Sequence, residues 1–255
     1  MNNHPLNKLR NLCLLTALVC LLAPPLSFAG FEEGHQAFKQ GNYPKALKEF
    51  KSSAAKGNSD AKFYLSIMYY SGKGIPQDYA KSAALLTDLA AIQYQRAAYN
   101  LGVMYFYGQG VEQDYQQALH LFERAVEQGD EQAYLQLGNM YAMGKGVDQD
   151  YNKAADLFGQ GASQGYKDAL IQLGILYAEG LGVPQNKAIA YALWNLTFLT
   201  QYDQRAAQNK AKIAASMSRD EVQDGQKLTM EIGKKGNMLK AIETFLGKDR
   251  TVEPN

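Results

Sequence analysis

The sequence predicts an all-α protein, a right-handed α-solenoid built from stacked antiparallel helix pairs. Two observations predict this fold class: a motif that recurs every 36 residues, and helical spacing of the apolar residues within each recurrence. A unit of this length has too little apolar surface to fold alone. Each helix pair must therefore bury its remaining apolar face against its neighbours, which is the defining property of a solenoid.

Four successive units share the same columns without a gap. A leucine is followed by a small residue, a tyrosine, a Gly-x-Gly, a β-branched residue and then Asp or Asn, with an apolar helix behind. Eight columns in register over four units exclude chance. The most informative columns are Leu65, Leu101, Leu137 and Leu173; Ser66, Gly102, Gly138 and Gly174; Tyr69, Tyr105, Tyr141 and Tyr177; Ser82, Ala118, Ala154 and Ala190; and Leu86, Phe122, Phe158 and Trp194.

One unit shows why these residue types recur. Apolar spacing predicts a first helix, helix A, over 131–142, and Gly144 is expected to end it with a positive φ. Asp150 is a suitable N-cap for a second helix, helix B, over 151–163. Gly138 lies inside helix A, where glycine costs about 1 kcal/mol relative to alanine. We therefore expect helix B to approach helix A closely at Gly138.

The four units occupy 61–200, and shorter segments flank them. Residues 30–60 are expected to form a first repeat with a shortened helix A and no Gly-x-Gly. Residues 201–247 leave the 36-residue register and are expected to form a helical cap, which includes a capping box that begins at Ser218. An alternative role for the last helix of this segment is docking of a partner. Residues 248–255 form a polar tail.

The Leu-Gly-x-x-Tyr, Gly-x-Gly-Val and Asp-Tyr-x-x-Ala patterns resemble the Sel1-like repeat (SLR) family, a relative of the tetratricopeptide repeat (TPR). The resemblance covers 61–200 closely, and 30–60 resembles a TPR unit more than an SLR unit. It implies a helical solenoid that binds other proteins. Many SLR proteins of bacterial cell envelopes carry a disulfide in each repeat, and this chain is not similar to that cysteine-rich subgroup.

Residues 1–29 have the pattern of a secretory signal peptide. Lys8 and Arg10 give a basic start, 12–23 is mostly apolar, and small residues precede a cleavage point before Gly30. The apolar run is short for a membrane span. We therefore expect an exported bacterial protein, periplasmic or secreted, without stable membrane insertion after cleavage.

Two alternatives to cleavage before Gly30 are open. The segment could remain as an uncleaved membrane anchor, or a lipoprotein could be cut before Cys20, although Val19 occupies the position that normally requires a small residue. The two cysteines, Cys13 and Cys20, both lie in the leader. Cleavage before Gly30 would thus leave a chain without thiols or disulfides.

The composition offers little material for catalysis or for ion binding. The chain has three histidines, His4, His35 and His120, and a near-neutral charge of +1. We expect no catalytic, cofactor-binding or metal-binding residues, and no attraction to nucleic acid. The Gly-x-Gly loops lack the Lys-Ser/Thr ending of a phosphate-binding loop and are expected to connect helices. The adjacent carboxylates Glu32 and Glu33 are expected at a helix start.

Helix A carries a second apolar stripe in addition to the face expected to pack on helix B. This stripe either packs between repeats or lines a concave binding groove, and both interpretations are open. It consists of Phe63, Ile67 and Tyr70; Tyr99, Val103 and Phe106; Leu135, Asn139 and Ala142; and Ile171, Ile175 and Ala178. The candidate partner-binding residues are Phe63, Tyr70, Tyr99, Phe106, Tyr107, Gln136 and Asn139.

The resemblance and the stripe together favour an exported, non-enzymatic scaffold. It would bind a partner peptide or helix on the concave helix-A face, in cell-envelope assembly or regulation or in host contact. An alternative is an enzyme directed at cell walls or β-lactams, an activity that the resemblance also implies. A further alternative is a glycan-binding module that uses its tyrosines for stacking. The sequence leaves the oligomeric state open.

Overall fold

A computed structural model describes residues 26–234 and 236–249, and within them it contains thirteen α-helices and no strand. The all-α prediction is therefore confirmed. The helices are α1 (Leu26–Lys39), α2 (Tyr43–Ala55), α3 (Ser59–Ser71), α4 (Tyr79–Ala91), α5 (Ala97–Tyr107), α6 (Tyr115–Glu127), α7 (Glu131–Met143), α8 (Tyr151–Ser163), α9 (Lys167–Glu179), α10 (Lys187–Gln201), α11 (Gln204–Ala214), α12 (Arg219–Ile232) and α13 (Met238–Asp249).

The chain divides into two compact units, Met1–Gln113 and Asp114–Asn255. The division falls inside the third repeat, between its helix A and its helix B. Within the described residues, the N-terminal unit contains α1 to α5 and the C-terminal unit contains α6 to α13.

In the N-terminal unit each helix packs on the next, from α1 through α5. Phe50 and Met68 are fully buried in its core, with Ala46 and Leu65 beside them. Helix α1 is longer than the sequence predicts, because it includes 26–29 of the predicted leader in addition to 30–39. Helix α1 has fourteen residues and begins at Leu26, so the carboxylates Glu32 and Glu33 lie within it rather than at its start.

In the C-terminal unit α6 to α10 stack in the same way, and the last helices cover α10. Helix α10 packs against α9, α11 and α12, and α13 packs against α12 and α8. Ile189, Leu193 and Trp194 of α10 are buried in one core with Leu228 of α12 and Ile242 of α13. Helix α10 is therefore enclosed on the side away from α9, as a capped solenoid end requires.

The helix ends in the fourth repeat are those that the sequence predicts. Gly144 ends α7 with a φ of 66°, and its N–H donates to the carbonyl of Met140. The Asp150 carboxylate caps α8 by accepting from the N–H groups of Asn152 and Lys153. The capping box at Ser218 is also present, with Glu221 as its partner.

Gly138 lies against the ring of Phe158, as expected from its position inside helix A. A Cβ at Gly138 would lie within 2.9 Å of three atoms of this ring. A Cβ at Gly174 would likewise lie within 3.0 Å of three atoms of the Trp194 indole. Glycine in this column allows an aromatic ring of helix B to contact the backbone of helix A, which offsets the helical cost of glycine.

The second glycine of each Gly-x-Gly allows close contact with the preceding repeat, which the sequence analysis does not predict. Gly146 has a φ of 73°, and a Cβ there would meet Tyr115 Cβ at 2.7 Å and the Tyr115 carbonyl oxygen at 2.8 Å. The loop of one repeat thus rests on the first residue of helix B in the preceding repeat. The other pairs with this relation are Gly74 with Tyr43, Gly110 with Tyr79, and Gly182 with Tyr151.

The predicted leader lies mostly outside the described residues. Residues 1–25, with Cys13 and Cys20, are not described, and 26–29 form the first turn of α1. No helix within 26–234 and 236–249 is both long enough and apolar enough to cross a membrane.

Candidate partner-binding face

Four residues of the second helix-A stripe meet around one cavity in the N-terminal unit. Ile67 and Tyr70 come from α3 and Tyr99 and Val103 from α5, and all four are half-buried. The cavity has a volume of about 250 Å³. Its other lining residues are Ser66, Ser82, Leu86, Asn100 and Met104.

Phe63, the first residue of the same stripe, packs in the core between repeats. It is only 5% exposed, and its ring centroid lies 5.5 Å from that of Tyr94. The Arg96 guanidinium lies 5.9 Å from the Phe63 ring centroid. The Tyr94 hydroxyl donates to Asp60 at 2.6 Å, and burial together with that carboxylate raises the pKa of Tyr94. Of the two interpretations of the stripe, packing between repeats therefore describes the position of Phe63.

Phe106 and Tyr107 are neighbours in α5 but differ sharply in exposure. Phe106 is 9% exposed and Tyr107 is 59% exposed. Their rings meet edge to face, with centroids 5.0 Å apart. Tyr107 therefore presents its ring to solvent, whereas Phe106 supports it from inside.

Tyr70 is held in place by contacts within the N-terminal unit. Its hydroxyl donates to Gln109 Oε1 at 2.7 Å, which ties α3 to the Gly-x-Gly loop of the next repeat. Its ring meets that of Tyr79 edge to face at 5.1 Å. A tyrosine fixed in this way loses little conformational entropy when a partner binds.

The candidates in the C-terminal unit are two amide side chains of α7. Gln136 and Asn139 are both half-buried. Leu135 of the same helix packs against the hydrophobic core of this unit. In α9 the corresponding stripe is more deeply placed, since Ile171 is buried and Ile175 packs against the core.

A recurring column of glutamines makes hydrogen bonds that the sequence analysis does not predict. In each of four repeats a glutamine precedes the N-cap residue of helix B, and its side-chain NH₂ donates to a carbonyl near the end of helix A at 2.8 or 2.9 Å. Their recurrence at 36 residues is visible in the sequence and could have revealed them. They are Gln77, Gln113, Gln149 and Gln185, and they bond to Tyr70, Phe106, Ala142 and Ala178.

The two histidines of the described residues lie in different surroundings. His35 stacks on Phe31 with ring centroids 5.6 Å apart, and its Nε2 lies 2.9 Å from the Tyr64 hydroxyl. His120 is exposed and lies 4.0 Å from Glu123. Among residues 26–234 and 236–249, no three side chains of His, Cys, Asp or Glu come together as a metal site would require.

Trp194 is a core residue, as are Phe122 and Phe158 of the same column. Its Nε1 donates to the carbonyl of Ile171 at 3.1 Å, and its indole fills the space left by Gly174. The ring is therefore enclosed between α9 and α10.

The sequences of these repeats match the model of a known family over most of their length. The sequence model of the family described as Sel1 repeat matches residues 59–91, 95–130, 131–166 and 167–196, which is more than half of the chain. The chain belongs to the Sel1 repeat family. Sel1 repeat proteins are generally scaffolds for protein interactions and are typically not enzymes. Comparison with curated proteins gives no match.

Two solved structures resemble this Sel1 repeat protein. One is a protective antigen present in uropathogenic Escherichia coli strains that displays an SLR fold, with 26% identity and a TM-score of 0.73 over 90% of this chain. This chain spans 49% of the antigen's length. The other is a Sel1 repeat protein from Oxalobacter formigenes, with 24% identity and a TM-score of 0.68 over 88% of this chain and 100% of that one. These neighbours bear out the SLR fold.

Proposed function

We propose that this Sel1 repeat protein is an exported, non-enzymatic scaffold that binds a protein partner, as a peptide or a helix, on the helix-A face of its N-terminal unit. The observation that carries the proposal is the group of half-buried residues around the cavity between α3 and α5. Tyr70, Tyr99, Ile67 and Val103 present apolar and aromatic surface there. Tyrosine is among the residue types that are enriched in binding hot spots.

The composition of this face fits a peptide or a helix. Tyrosines offer a large apolar ring and a polar hydroxyl at a low entropy cost. Tyr70 is already fixed by Gln109, so its ring does not need to be ordered on binding. Tyr107 lies on α5, as Tyr99 does, and its exposed ring adds aromatic surface that a partner can contact. Gln136 and Asn139 of α7 stay candidate residues of the C-terminal unit, separate from this face.

The proposal also includes export of the protein and a function in the cell envelope or in host contact. The leader pattern at 1–29 supports export, and cleavage before Gly30 would leave a chain without cysteines. The E. coli neighbour is a protective antigen, which supports a role in host contact for a protein of this fold. Mass spectrometry of the protein purified from its native host tests this part, and a mature N-terminus at Gly30 is expected. An intact leader on the purified protein would contradict export by this route.

The partner face is tested by capture from an envelope extract with the full chain and a Tyr70→Ala/Tyr99→Ala variant. We expect proteins held by the wild type to be recovered at least tenfold less by the variant, since hot-spot aromatics contribute about 2 kcal/mol or more each. Phe106 is left unchanged because it is buried, and its truncation would destabilise α5 itself.

The matched control removes exposed apolar area elsewhere. A Leu199→Ala/Met230→Ala variant truncates two exposed side chains of the C-terminal unit and should retain wild-type capture. Circular dichroism and urea unfolding verify that both variants are folded. Equal recovery by a folded Tyr70→Ala/Tyr99→Ala variant would exclude this face as the binding surface.

A further inference from the structure

The cavity between α3, α4 and α5 exists because three repeat columns change together in the second repeat. Where later repeats have glycine, alanine and an aromatic residue, this repeat has Ser66, Ser82 and Leu86. In the C-terminal unit the rings of Phe158 and Trp194 fill this place and lie against the helix-A backbone. Leu86 is smaller than either ring, so the corresponding space becomes a cavity.

The cavity has an apolar, buried floor and a mouth on the proposed partner face. Leu86 and Met104 are buried at its floor, whereas Tyr70, Tyr99 and Asn100 are half-buried around its mouth. Its volume is about 250 Å³. Apolar protein cavities of ~150 Å³ hold a benzene molecule. One substituted six-membered ring therefore fits this space.

Two serines, Ser66 and Ser82, line the cavity, and their hydroxyls differ in whether they have a hydrogen-bond partner. Ser66 Oγ donates to the carbonyl of Phe63 at 2.6 Å. Ser82 Oγ is buried, in a residue that is 1% exposed, and it has no hydrogen-bond partner among the described residues. A buried hydroxyl without a partner is destabilising, so a ligand that bonds to it gains affinity.

We propose that this cavity is an anchor pocket for the phenol ring of one tyrosine side chain of the partner. The ring would occupy the place that Phe158 and Trp194 fill in their own repeats, and its hydroxyl would bond to Ser82 Oγ. The chain's own aromatic pairs define the size of the occupant, and the unpaired hydroxyl favours tyrosine over phenylalanine. The inference rests on the proposed function, because the mouth of the pocket is the partner face.

The pocket is tested directly with p-cresol, which is the tyrosine side chain as a free molecule. Titration of the full chain, followed by calorimetry or by NMR of the α3 to α5 residues, should show saturable binding at one site. A Ser66→Gly/Ser82→Ala/Leu86→Phe variant builds the later repeats' residues into the second repeat and fills the cavity. It should bind p-cresol at least tenfold more weakly, with a urea midpoint no lower than that of the wild type. Leu86→Phe alone is the reserve variant if the triple variant does not fold.

The hydrogen bond to Ser82 is tested with toluene, which lacks the hydroxyl. The ratio of p-cresol affinity to toluene affinity should fall about threefold to tenfold in Ser82→Ala, because one neutral hydrogen bond is lost. An unchanged ratio would overturn the choice of tyrosine. Absence of saturable p-cresol binding, or equal binding by the filled variant, would overturn the pocket itself.

Failure of the pocket and failure of the proposed function are distinguishable. If p-cresol binds but partner recovery is the same for the wild type and the Tyr70→Ala/Tyr99→Ala variant, the partner face is wrong and the tyrosine anchor falls with it. If that variant loses its partners while the filled variant keeps them, the scaffold function stands and the anchor is wrong. Loss of the same partners by both variants, together with p-cresol binding by the wild type, supports both.

Discussion

Single residues decide how closely helices A and B approach within a repeat. Gly138 brings the Phe158 ring onto the backbone of α7, and Ser66 with Leu86 leaves a cavity at the equivalent place in the N-terminal unit. The same column therefore produces a closed core in one repeat and a pocket in another. The volume and polarity of a few side chains set this difference.

Gly138→Ala is expected to destabilise the protein although alanine is the better helix former. The new methyl would overlap the Phe158 ring, and overpacking of a filled core typically costs about 1–3 kcal/mol. Urea unfolding measures the change. Gly159→Ala in α8 is the matched control, because the nearest atom to a Cβ there is Leu239 Cδ2 at 3.6 Å, and it should stabilise by about 0.5–1 kcal/mol. If both variants shift stability in the same direction, close approach is not the reason for glycine at 138.

The two cavity serines should respond in opposite directions when they are changed to alanine. Ser82→Ala removes an unpaired buried hydroxyl and should leave stability unchanged or raise it by up to about 1 kcal/mol. Ser66→Ala removes the bond to the Phe63 carbonyl and should lower stability by about 0.5–1 kcal/mol. Thermal or urea unfolding of the full chain distinguishes them. A clear loss in Ser82→Ala would mean that its hydroxyl is already satisfied.

Helix boundaries were largely predictable because the determining signals are local. The Gly144 cap, the Asp150 N-cap and the Ser218 capping box each act within a few residues, and each is present as predicted. The length of α1 was mispredicted because no comparable stop or start signal marks it between 26 and 31. The glutamine ties between helix A and helix B, such as Gln149 to the Ala142 carbonyl, span seven residues and were missed.

The candidate site was less predictable because burial depends on neighbouring repeats. Phe63 and Tyr70 occupy one stripe of α3, yet Phe63 is covered by Tyr94 and Tyr70 lies at a cavity mouth. Sequence spacing gives the face of a helix but not what the next helix places against it. The cavity itself requires three changed columns to meet in space. Each change is visible in the sequence, but their common volume is not.

An ion-pair cluster ties α9 to α11 and should make stability depend on pH. Arg205 lies 2.5 Å from Asp168 and 2.8 Å from Asp203, and Lys167 lies 4.0 Å from Asp203. The hydrogen bond from Arg205 lowers the pKa of Asp203 from 3.8 to about 2. Since the folded pKa is the lower one, the stabilisation by Asp203 is fully present above the unfolded value and is lost as the pH falls toward 2.

Asp203→Asn should therefore be less stable than the wild type at pH 7, and the difference should shrink as the pH falls from about 4 to 2. Asparagine retains the N-cap of α11, so the variant isolates the charge. Urea midpoints across this pH range measure the difference. Asp224→Asn, which breaks an exposed pair with Lys227, is the control and should have little effect. A constant gap for Asp203→Asn at all pH values would exclude the ionic contribution.

At the scale of the whole molecule, stability comes from the contact of successive helices within each of the two units. Leu137 is buried in α7, in a unit whose helices pack in succession and whose last helices enclose α10. Because each repeat contributes to a shared core, damage at one position should weaken the unit as a whole. The 36-residue register predicts this packing, because it places Leu137 on the buried side of α7.

Leu137→Asp should lower stability by several kcal/mol, since it buries an unpaired carboxylate between packed helices. Gln132→Asp, at an exposed position in the first turn of the same helix, adds the same charge and should be close to neutral. Urea unfolding followed by circular dichroism compares the two. An unchanged midpoint for Leu137→Asp would mean that the register is wrong.

The proposed function requires that the cavity-bearing face of the N-terminal unit contacts a protein partner. The most direct measurement is photocrosslinking in cells of the native host, with a benzophenone amino acid in place of Asn100 at the cavity mouth. The matched position is Met230, which is 67% exposed on α12. We expect a discrete crosslinked species from position 100 and none of the same mass from position 230. The absence of a crosslink at 100, or the same species from both positions, would contradict the proposed function.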